Sequence, residues 1–324
     1  MKNLFFIQKN LFLVSLISSI FICLSSSSFL SMWMSMEINL FSMIPLMSED
    51  QKTYSEKSTM IYFLIQSVSS SIVIICVSFN SKDFKSLTMM MIFLAIFVKL
   101  GMFPFHIWMI CTIEGMSWNL AFFMMTLQKI IPISILMLFI HQETIIMFCL
   151  LNSFIVAFSG ITMFSMRKIM GFSSINHLSL MLMAMVLSKK TFKMYFFIYS
   201  FMTYTSTKIM KKTNTNFLFQ TLTIFKSNKL NNLVFLILFL SMAGIPPLLG
   251  FMPKLMTILI MMKSNMFTTV FLVLIFNTLS TFFYLRISIN NILMNLNLKK
   301  TFKKKKSLNT PFYLLMTPLY LLML

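Results

Sequence analysis

The stretch Phe97–Trp108 reads FVKLGMFPFHIW and sets a lysine, a proline and a histidine among bulky apolar residues. As a membrane helix it would carry a charge near its middle, at Lys99, and a helix breaker five residues later, at Pro104. Proline lacks a backbone N–H and its ring collides with the preceding turn. Inside a bilayer the freed carbonyls need another partner, so broken helices survive where they face protein or a hydrated cavity. The meaning of this stretch therefore depends on whether the chain around it is membrane-embedded.

The whole composition says that it is. Of 324 residues, 58% are hydrophobic and 10% charged, where a soluble domain carries about a quarter charged residues. Apolar runs follow one another with only short polar gaps, the pattern of a polytopic membrane protein. Phe, Ile, Leu, Met, Asn, Lys and Ser are heavy and Gly, Ala, Asp, Val and Arg scarce, with 35 methionines. The favoured residues mostly have A/T-rich codons, so drift in an A/T-rich genome, such as a metazoan mitochondrial one, explains the bias better than methionine chemistry does. The net charge of +20 is spread through short loops, and its one dense run, Lys299, Lys300 and Lys303–Lys306, lies between two apolar segments. That placement reads as a loop held on the cytoplasm-like side, and excludes nucleic acid as a partner. Cys23, Cys76, Cys111 and Cys149 stand 35 to 53 residues apart, without metal or iron–sulfur spacing, and six glycines leave no phosphate-cradling loop. No redox cofactor is expected in this chain.

Apolar runs divide the sequence into about eleven transmembrane spans, near 4–24, 29–47, 58–79, 86–110, 119–140, 144–165, 169–187, 192–210, 231–262, 266–294 and 311–324. The N-terminus, with Lys2, Lys9, an apolar run to Leu24 and then Ser25–Ser28, imitates a secretory signal. A retained first helix is expected, because the next apolar run follows at once. The fourth span is interrupted by Pro104 and the ninth by Pro246, Pro247 and Pro253. Each is fourth in a block of five, and a five-helix block ends on the side opposite its start, so its repeat must be inverted. Inverted repeats with broken helices in matching places mark many ion-coupled transporters. The expected fold is thus a single all-α integral membrane domain over 1–324. It comprises two inverted five-helix repeats, approximately 4–140 and 144–294, with one C-terminal helix at 311–324. Loops on the N-terminal side hold fourteen Lys and Arg against six on the other, which places the N-terminus on the matrix-like side and the C-terminus opposite.

An ionisable group at bilayer depth costs at least about 2.5–3.5 kcal/mol, so its presence points to function. Of seven acidic residues only Glu37 sits mid-span, in FLSMWMSMEINLFSMIPLM. Three lysines lie at depth, each near an expected proline break: Lys99 before Pro104, Lys129 before Pro132 in LQKIIPIS, and Lys254 after Pro253 in GIPPLLGFMPKL. Lys9 and Lys208, nearer span ends, fit snorkelling. His106 falls seven residues after Lys99 and would share its face on a continuous helix; the competing reading is that it packs and bonds a carbonyl freed by Pro104. His177, in GFSSINHLSLM, is either a polar station or a helix–helix contact. Burial disfavours the charged form of a lysine and a nearby carboxylate restores it, so moving the partner switches a lysine between holding and releasing a proton. One carboxylate and three lysines at depth suit such a relay, and no nucleophile-and-base constellation is present.

The segments WMSMEINLFSMIPLM, KLGMFPFHIW, EGMSW, LQKIIPIS, MRKIMGFSSINHLSLM and AGIPPLLGFMPKL resemble, in order, NADH–ubiquinone oxidoreductase chain 2, the family of mitochondrially encoded, antiporter-like membrane subunits of respiratory complex I. EGMSW and the codon bias are similar to insect members. The resemblance implies proton translocation across the mitochondrial inner membrane, driven by electron transfer from NADH to ubiquinone elsewhere in the complex. It implies that NADH, FMN, iron–sulfur clusters and ubiquinone bind other subunits, and that the partners are other membrane-arm subunits, neighbouring antiporter-like ones included, with membrane lipids such as cardiolipin around them. By motif position Glu37 and Lys99 would be a coupled acid–lysine pair, Lys129 the central relay lysine and Lys254 the lysine of the second broken helix, with His106 and His177 on or near the polar axis. Animal members lack the first helices of the ancestral bundle, consistent with a matrix-side start. One departure stands out: many relatives carry Pro-Glu where this chain has Ile110-Cys111, so a role for that glutamate does not transfer. The competing readings are a free-standing cation/proton antiporter and a purely structural assembly subunit.

Overall fold

A computed structural model describes residues 2–48, 53–78, 85–138, 142–224 and 229–297. These residues are helical almost throughout. The one β-type pairing among them is an isolated bridge between Ser165 and Phe217. Two compact units divide the chain, Met1–His141 and Gln142–Leu324. The expected span 311–324 and the lysine run near 300 lie outside the described residues.

The first unit holds α1 (Lys2–Ser25), α2 (Phe29–Ser48), α3 (Thr53–Ser78), α4 (Lys85–Leu100), α5 (Ile107–Gly115), α6 (Trp118–Met125) and α7 (Leu127–Leu136). α3 packs against α2, α4 and α5, while α7 lies against α1, α2, α4 and α6. On α1 the outer residues Leu11, Val14, Phe21 and Leu24 are exposed while Leu16, Ser19, Ile20 and Cys23 are buried. An apolar outer face with small and polar residues turned inward is what a lipid solvent selects.

The second unit holds α8 (Gln142–Thr162), α9 (Met166–Leu187), α10 (Lys189–Thr213), α11 (Leu218–Ile224), α12 (Lys229–Ala243), α13 (Phe251–Lys263) and α14 (Phe267–Asn297). α9 is its axis. Packed by α8, α10 and α13, it is buried on every side from Ile169 to Val186. A helix enclosed all round is normally apolar all round, yet α9 carries Ser173, Ser174, Asn176, His177 and Ser179 in that interval.

Among the described residues, seven stretches are long and apolar enough to cross a membrane: α1, α2, α3, the α6–α7 run, α8, α9 and α14. The expected fourth and ninth spans are each split into two short helices, α4 with α5 and α12 with α13. The eighth, α10, is helical over its whole length but lies outside that set, its Lys, Thr, Tyr and Ser residues keeping it less apolar than the others.

The two splits share one backbone design. In the first, the amide of Gly101 bonds to Val98 O (3.1 Å), that of Met102 to Phe97 O (3.2 Å) and that of Phe105 to Met102 O (2.7 Å). In the second, Gly244 bonds to Ser241 O (3.0 Å), Ile245 to Leu240 O (3.3 Å) and Leu248 to Ile245 O (3.0 Å). Both are Schellman ends, in which the residue after the helix turns left-handed and two amides fold back on the last carbonyls. Glycine meets that requirement without a Cβ penalty, and φ is +65° at Gly101 and +81° at Gly244. Three residues beyond each glycine stands a cis proline, Pro104 in one and Pro247 in the other.

Three expectations are corrected here. Pro253 does not interrupt the chain, because it sits in the first turn of α13, where the missing N–H has no helical partner anyway. Pro132 likewise stays inside α7, and the fifth span is interrupted upstream, at Thr126. There the Thr126 hydroxyl donates to Phe122 O (2.8 Å), a back-bond that bends helices, and φ and ψ reach −124° and −73°. Finally, Lys99 and His106 do not share a helical face, since the break lies between them.

Candidate functional site

The first unit gathers its polar groups around a small, partly open cavity with about 20 Å³ of room for water. Lys99 comes from the last turn of α4 and Lys129 from the first turn of α7. Both line the cavity, together with Asn39 of α2, Tyr62 and Gln66 of α3, and Gln128 of α7, against a wall that includes Met36, Leu40, Met109 and Met124. Lys99 is 7% exposed and Lys129 2%, which removes both from the snorkelling class. Glu37, half-buried on α2, is near enough for its charge to act on Lys99. The fold therefore brings Glu37, Lys99 and Lys129 together.

Sequence reading misses the neutral side chains that connect them. Tyr62 donates to Gln128 Oε1 (3.2 Å) and Gln128 Nε2 donates to Asn39 Oδ1 (2.8 Å), tying α3, α7 and α2 across the cavity. The end of α4 is satisfied by side chains as well: Trp108 Nε1 donates to Val98 O (2.9 Å) and Gln66 Nε2 to Lys99 O (3.3 Å). A polar cavity of this kind suits ordered water held by several partners. Asn39 lies two residues from Glu37 and Gln128 beside Lys129, so proximity to charged positions is the available signal for both; Tyr62 offers none.

His106 stands outside this lining. It precedes α5 in the break, half-buried, with the backbone of Pro104 as a hydrogen-bond neighbour and its ring 6.2 Å from that of Phe103. Lys208 is exposed on α10, donating to Tyr204 OH (3.2 Å).

In the second unit Lys254, 6% exposed, leaves the first turn of α13 and reaches back over the break. Its Nζ donates to Met242 O (3.1 Å) and Ala243 O (2.9 Å), the last carbonyls of α12. A cation there complements the negative end of the helix dipole and closes carbonyls the break would leave open. With Gly101 and Gly244 as equivalent points, Met242 occupies the register of Lys99. The carbonyl at that register accepts a neutral amide in the first unit and an ammonium in the second.

His177, fully buried on α9, places Nδ1 2.9 Å from the hydroxyl of Tyr195 on α10. The ring of Tyr199, one turn further along α10, lies 5.1 Å from the imidazole. Tyr284 of α14 adds a third buried phenol that interacts with both tyrosines, and Asn176 Nδ2 donates to Ser280 Oγ on α14 (3.1 Å). The sequence marks His177, Ser173 and Ser174 but not the tyrosines, which are spread over two other helices.

These features can store and pass protons: ionisable groups at depth, each with polar neighbours, beside breaks in the helical backbone. Comparison with known proteins agrees in kind. The family model described as NADH:quinone oxidoreductase/Mrp antiporter, TM, matches residues 26–281. NADH-ubiquinone oxidoreductase chain 2 of Anopheles gambiae is 32% identical over 317 residues, spanning 93% of this chain and 92% of the relative. The protein of that name from Locusta migratoria is 31% identical over 294 residues, 89% of this chain and 86% of its own. Among solved structures, respiratory complex I from Thermus thermophilus with bound aureothin contains a chain of like fold. Its TM-score is 0.80 at 17% identity, covering 88% of this chain and 70% of that one. The Mrp complex from Dietzia contains another, at TM-score 0.74 and 14% identity, covering 85% and 59%.

Proposed function

The chain belongs to the NADH:quinone oxidoreductase/Mrp antiporter transmembrane family, and from that premise we propose that it is a proton-translocating membrane-arm subunit of respiratory complex I, a chain 2. It works in the mitochondrial inner membrane among other membrane-arm subunits, including antiporter-like neighbours, and among lipids such as cardiolipin. NADH, FMN, iron–sulfur clusters and ubiquinone bind elsewhere in the complex. This chain therefore contributes to NADH:ubiquinone reduction through proton movement rather than electron transfer. Membership at this identity with chain 2 relatives favours the reading over a free-standing antiporter.

The membrane spans form two inverted five-helix repeats within one polytopic domain, with the N-terminus on the matrix side. The matched Gly-x-x-Pro breaks in α4–α5 and α12–α13 support the repeat. Glu37, Lys99 and Lys129 are the proton stations of the first unit, with His106 flanking its break; His177 and Lys254 are those of the second. In the first unit, loss of the Glu37 charge beside Lys99 makes the ammonium costly to keep buried and releases its proton toward Lys129. Asn39, Tyr62 and Gln128 orient whatever water completes the path.

The observation that carries this reading is the pair of buried lysines on one polar cavity, Lys99 and Lys129. The test is the complex carrying Lys129→Met, checked for assembly on native gels and reconstituted in liposomes. Coupled NADH:ubiquinone turnover and proton uptake should fall at least about tenfold. Full pumping by an assembled variant would leave only the structural-subunit reading standing.

A further inference from the structure

We propose that Tyr195 passes the proton to and from His177, its hydroxyl and the imidazole reversing their hydrogen bond each time the histidine is charged and discharged. The inference rests on the reading of His177 as a relay station and adds a partner that no sequence pattern marks.

The geometry is specific. Tyr195 and His177 lie on adjacent packed helices, α10 and α9, both are buried to 1% exposure or less, and the hydroxyl is 2.9 Å from Nδ1. With a neutral imidazole, the Tyr195 O–H donates to Nδ1 and the ring carries its proton on Nε2. When the imidazole is charged, Nδ1 has gained a proton and donates to the tyrosine oxygen. The proton that charges it comes from the Tyr195 hydroxyl, whose oxygen takes a replacement from the relay. The net change is one proton added to His177, with the phenol neutral before and after. No other hydrogen-bonding type does this as simply: a hydroxyl both donates and accepts, whereas an indole or ammonium only donates.

Aromatic rings pack against the imidazole. Tyr199, one helical turn after Tyr195, packs its ring 5.1 Å from the imidazole. Tyr284 of α14 adds a buried phenol that acts on both tyrosines. The buried titratable groups on α8, α10, α13 and α14 are the phenols of Tyr195 and Tyr199 on α10, Tyr284 on α14, Lys254 on α13 and Cys149 on α8. Of these, Tyr195 stands within hydrogen-bonding distance of Nδ1.

The experiment is a double-variant cycle in the assembled complex, with coupled turnover and its pH profile as readouts. His177→Gln is expected to lower coupled turnover; if it does not, the relay reading falls and this proposal with it. Given that loss, Tyr195→Phe alone should lower turnover about fivefold, the equivalent of one hydrogen bond of about 1 kcal/mol, and change the pH profile. In the His177→Gln background Tyr195→Phe should change neither further. Full turnover and an unaltered profile for Tyr195→Phe would overturn the proposal while leaving His177 in the relay. An equal loss in both backgrounds would also overturn it, by showing that the phenol acts through packing alone. If Tyr195→Phe lowers accumulation, Tyr199→Phe removes a hydroxyl from the same buried cluster without touching Nδ1; turnover per assembled complex that falls equally in both variants counts against Tyr195.

Discussion

Replacing Gly250 by alanine tests how closely the two halves of the second broken helix must approach. Gly250 ends the break just before α13, and a Cβ added there would lie 1.8 Å from Ser241 O and 2.7 Å from Ser241 C. Those are backbone atoms of the last turn of α12, so no rotamer change relieves the collision. Side-chain carbons essentially never come within 3.0 Å, so the backbones must part by about 1.2 Å, the difference between 3.0 and 1.8 Å. The next two carbonyls, of Met242 and Ala243, hold Lys254 Nζ at 3.1 and 2.9 Å, and a displacement of that size takes both beyond hydrogen-bonding range. Hydrogen bonds to charged groups contribute about 1.5–3 kcal/mol each, so the break loses on the order of 3 kcal/mol even after partial relaxation. The assay is amide hydrogen exchange on the assembled complex. Gly244 and Ile245, whose amides bond to Ser241 O and Leu240 O, should exchange about a hundredfold faster, since each 1.4 kcal/mol is tenfold. Proton pumping should fall with it, because Lys254 loses its seat. Unchanged exchange at these two amides with normal pumping would refute the claim that a backbone contact at Gly250 holds Lys254 in place.

Trp108→Phe removes the indole donor to Val98 O and leaves a buried carbonyl with one partner fewer. It should destabilise the first break by about 1 kcal/mol, read as faster exchange of the Gly101 and Met102 amides, with other helices unaffected. Glu37→Gln and Lys99→Met should each depress coupled turnover, and the double variant should be no worse than the more damaging single one, because the two charges act as a pair; additive losses would show them to be independent. Gly244→Ala should lower pumping more than Gly160→Ala. At Gly244 the new Cβ meets Lys254 Cδ at 2.8 Å and φ is left-handed, whereas at Gly160 it meets the Phe283 ring at 3.1 Å, which can shift by a few tenths of an ångström. Liposome pumping assays on the two variants check the order.

Whether a feature is legible in the amino-acid sequence depends on how far along the chain its cause extends. The breaks are legible because proline acts on its own backbone: Pro104 and Pro247 fall within interruptions as expected. Pro253 and Pro132 mislead for the same reason, since a proline's effect depends on whether its missing N–H had a partner. That is a matter of position within the turn. The interruption at Thr126 has no proline in it and arises from a hydroxyl back-bond, which the sequence disguises as an ordinary threonine. Charged residues within apolar spans are legible because lipid makes them expensive wherever they occur, so Glu37, Lys99, Lys129 and Lys254 declare themselves one at a time. Their partners do not. Tyr62, Gln66, Asn39 and Gln128 become a cavity lining only when α2, α3, α4 and α7 meet, and Tyr195, Tyr199 and Tyr284 become a cluster only around α9.

The two breaks also explain why lysine appears before one and after the other. A Schellman end satisfies two of the last carbonyls of a helix with its own amides and leaves others exposed. In lipid each exposed carbonyl costs several kcal/mol unless a donor arrives from elsewhere. In the first unit Gln66 brings a neutral donor to Lys99 O and Trp108 adds a second donor to Val98 O, which the Gly101 amide already serves, while the Lys99 side chain lines the cavity it shares with Lys129. In the second unit the carbonyls of Met242 and Ala243 are served instead by the ammonium of Lys254. Its proton is thus part of the backbone closure itself. A Lys254 that gave up its proton would still carry two N–H donors, but would lose the charge that strengthens both bonds and complements the end of α12. The same break geometry therefore yields two different devices. The first directs a lysine into a cavity that a second lysine shares. The second seats a lysine on the carbonyls that join one half-helix to the other, so that in the proposed relay its proton release would be tied to that seating.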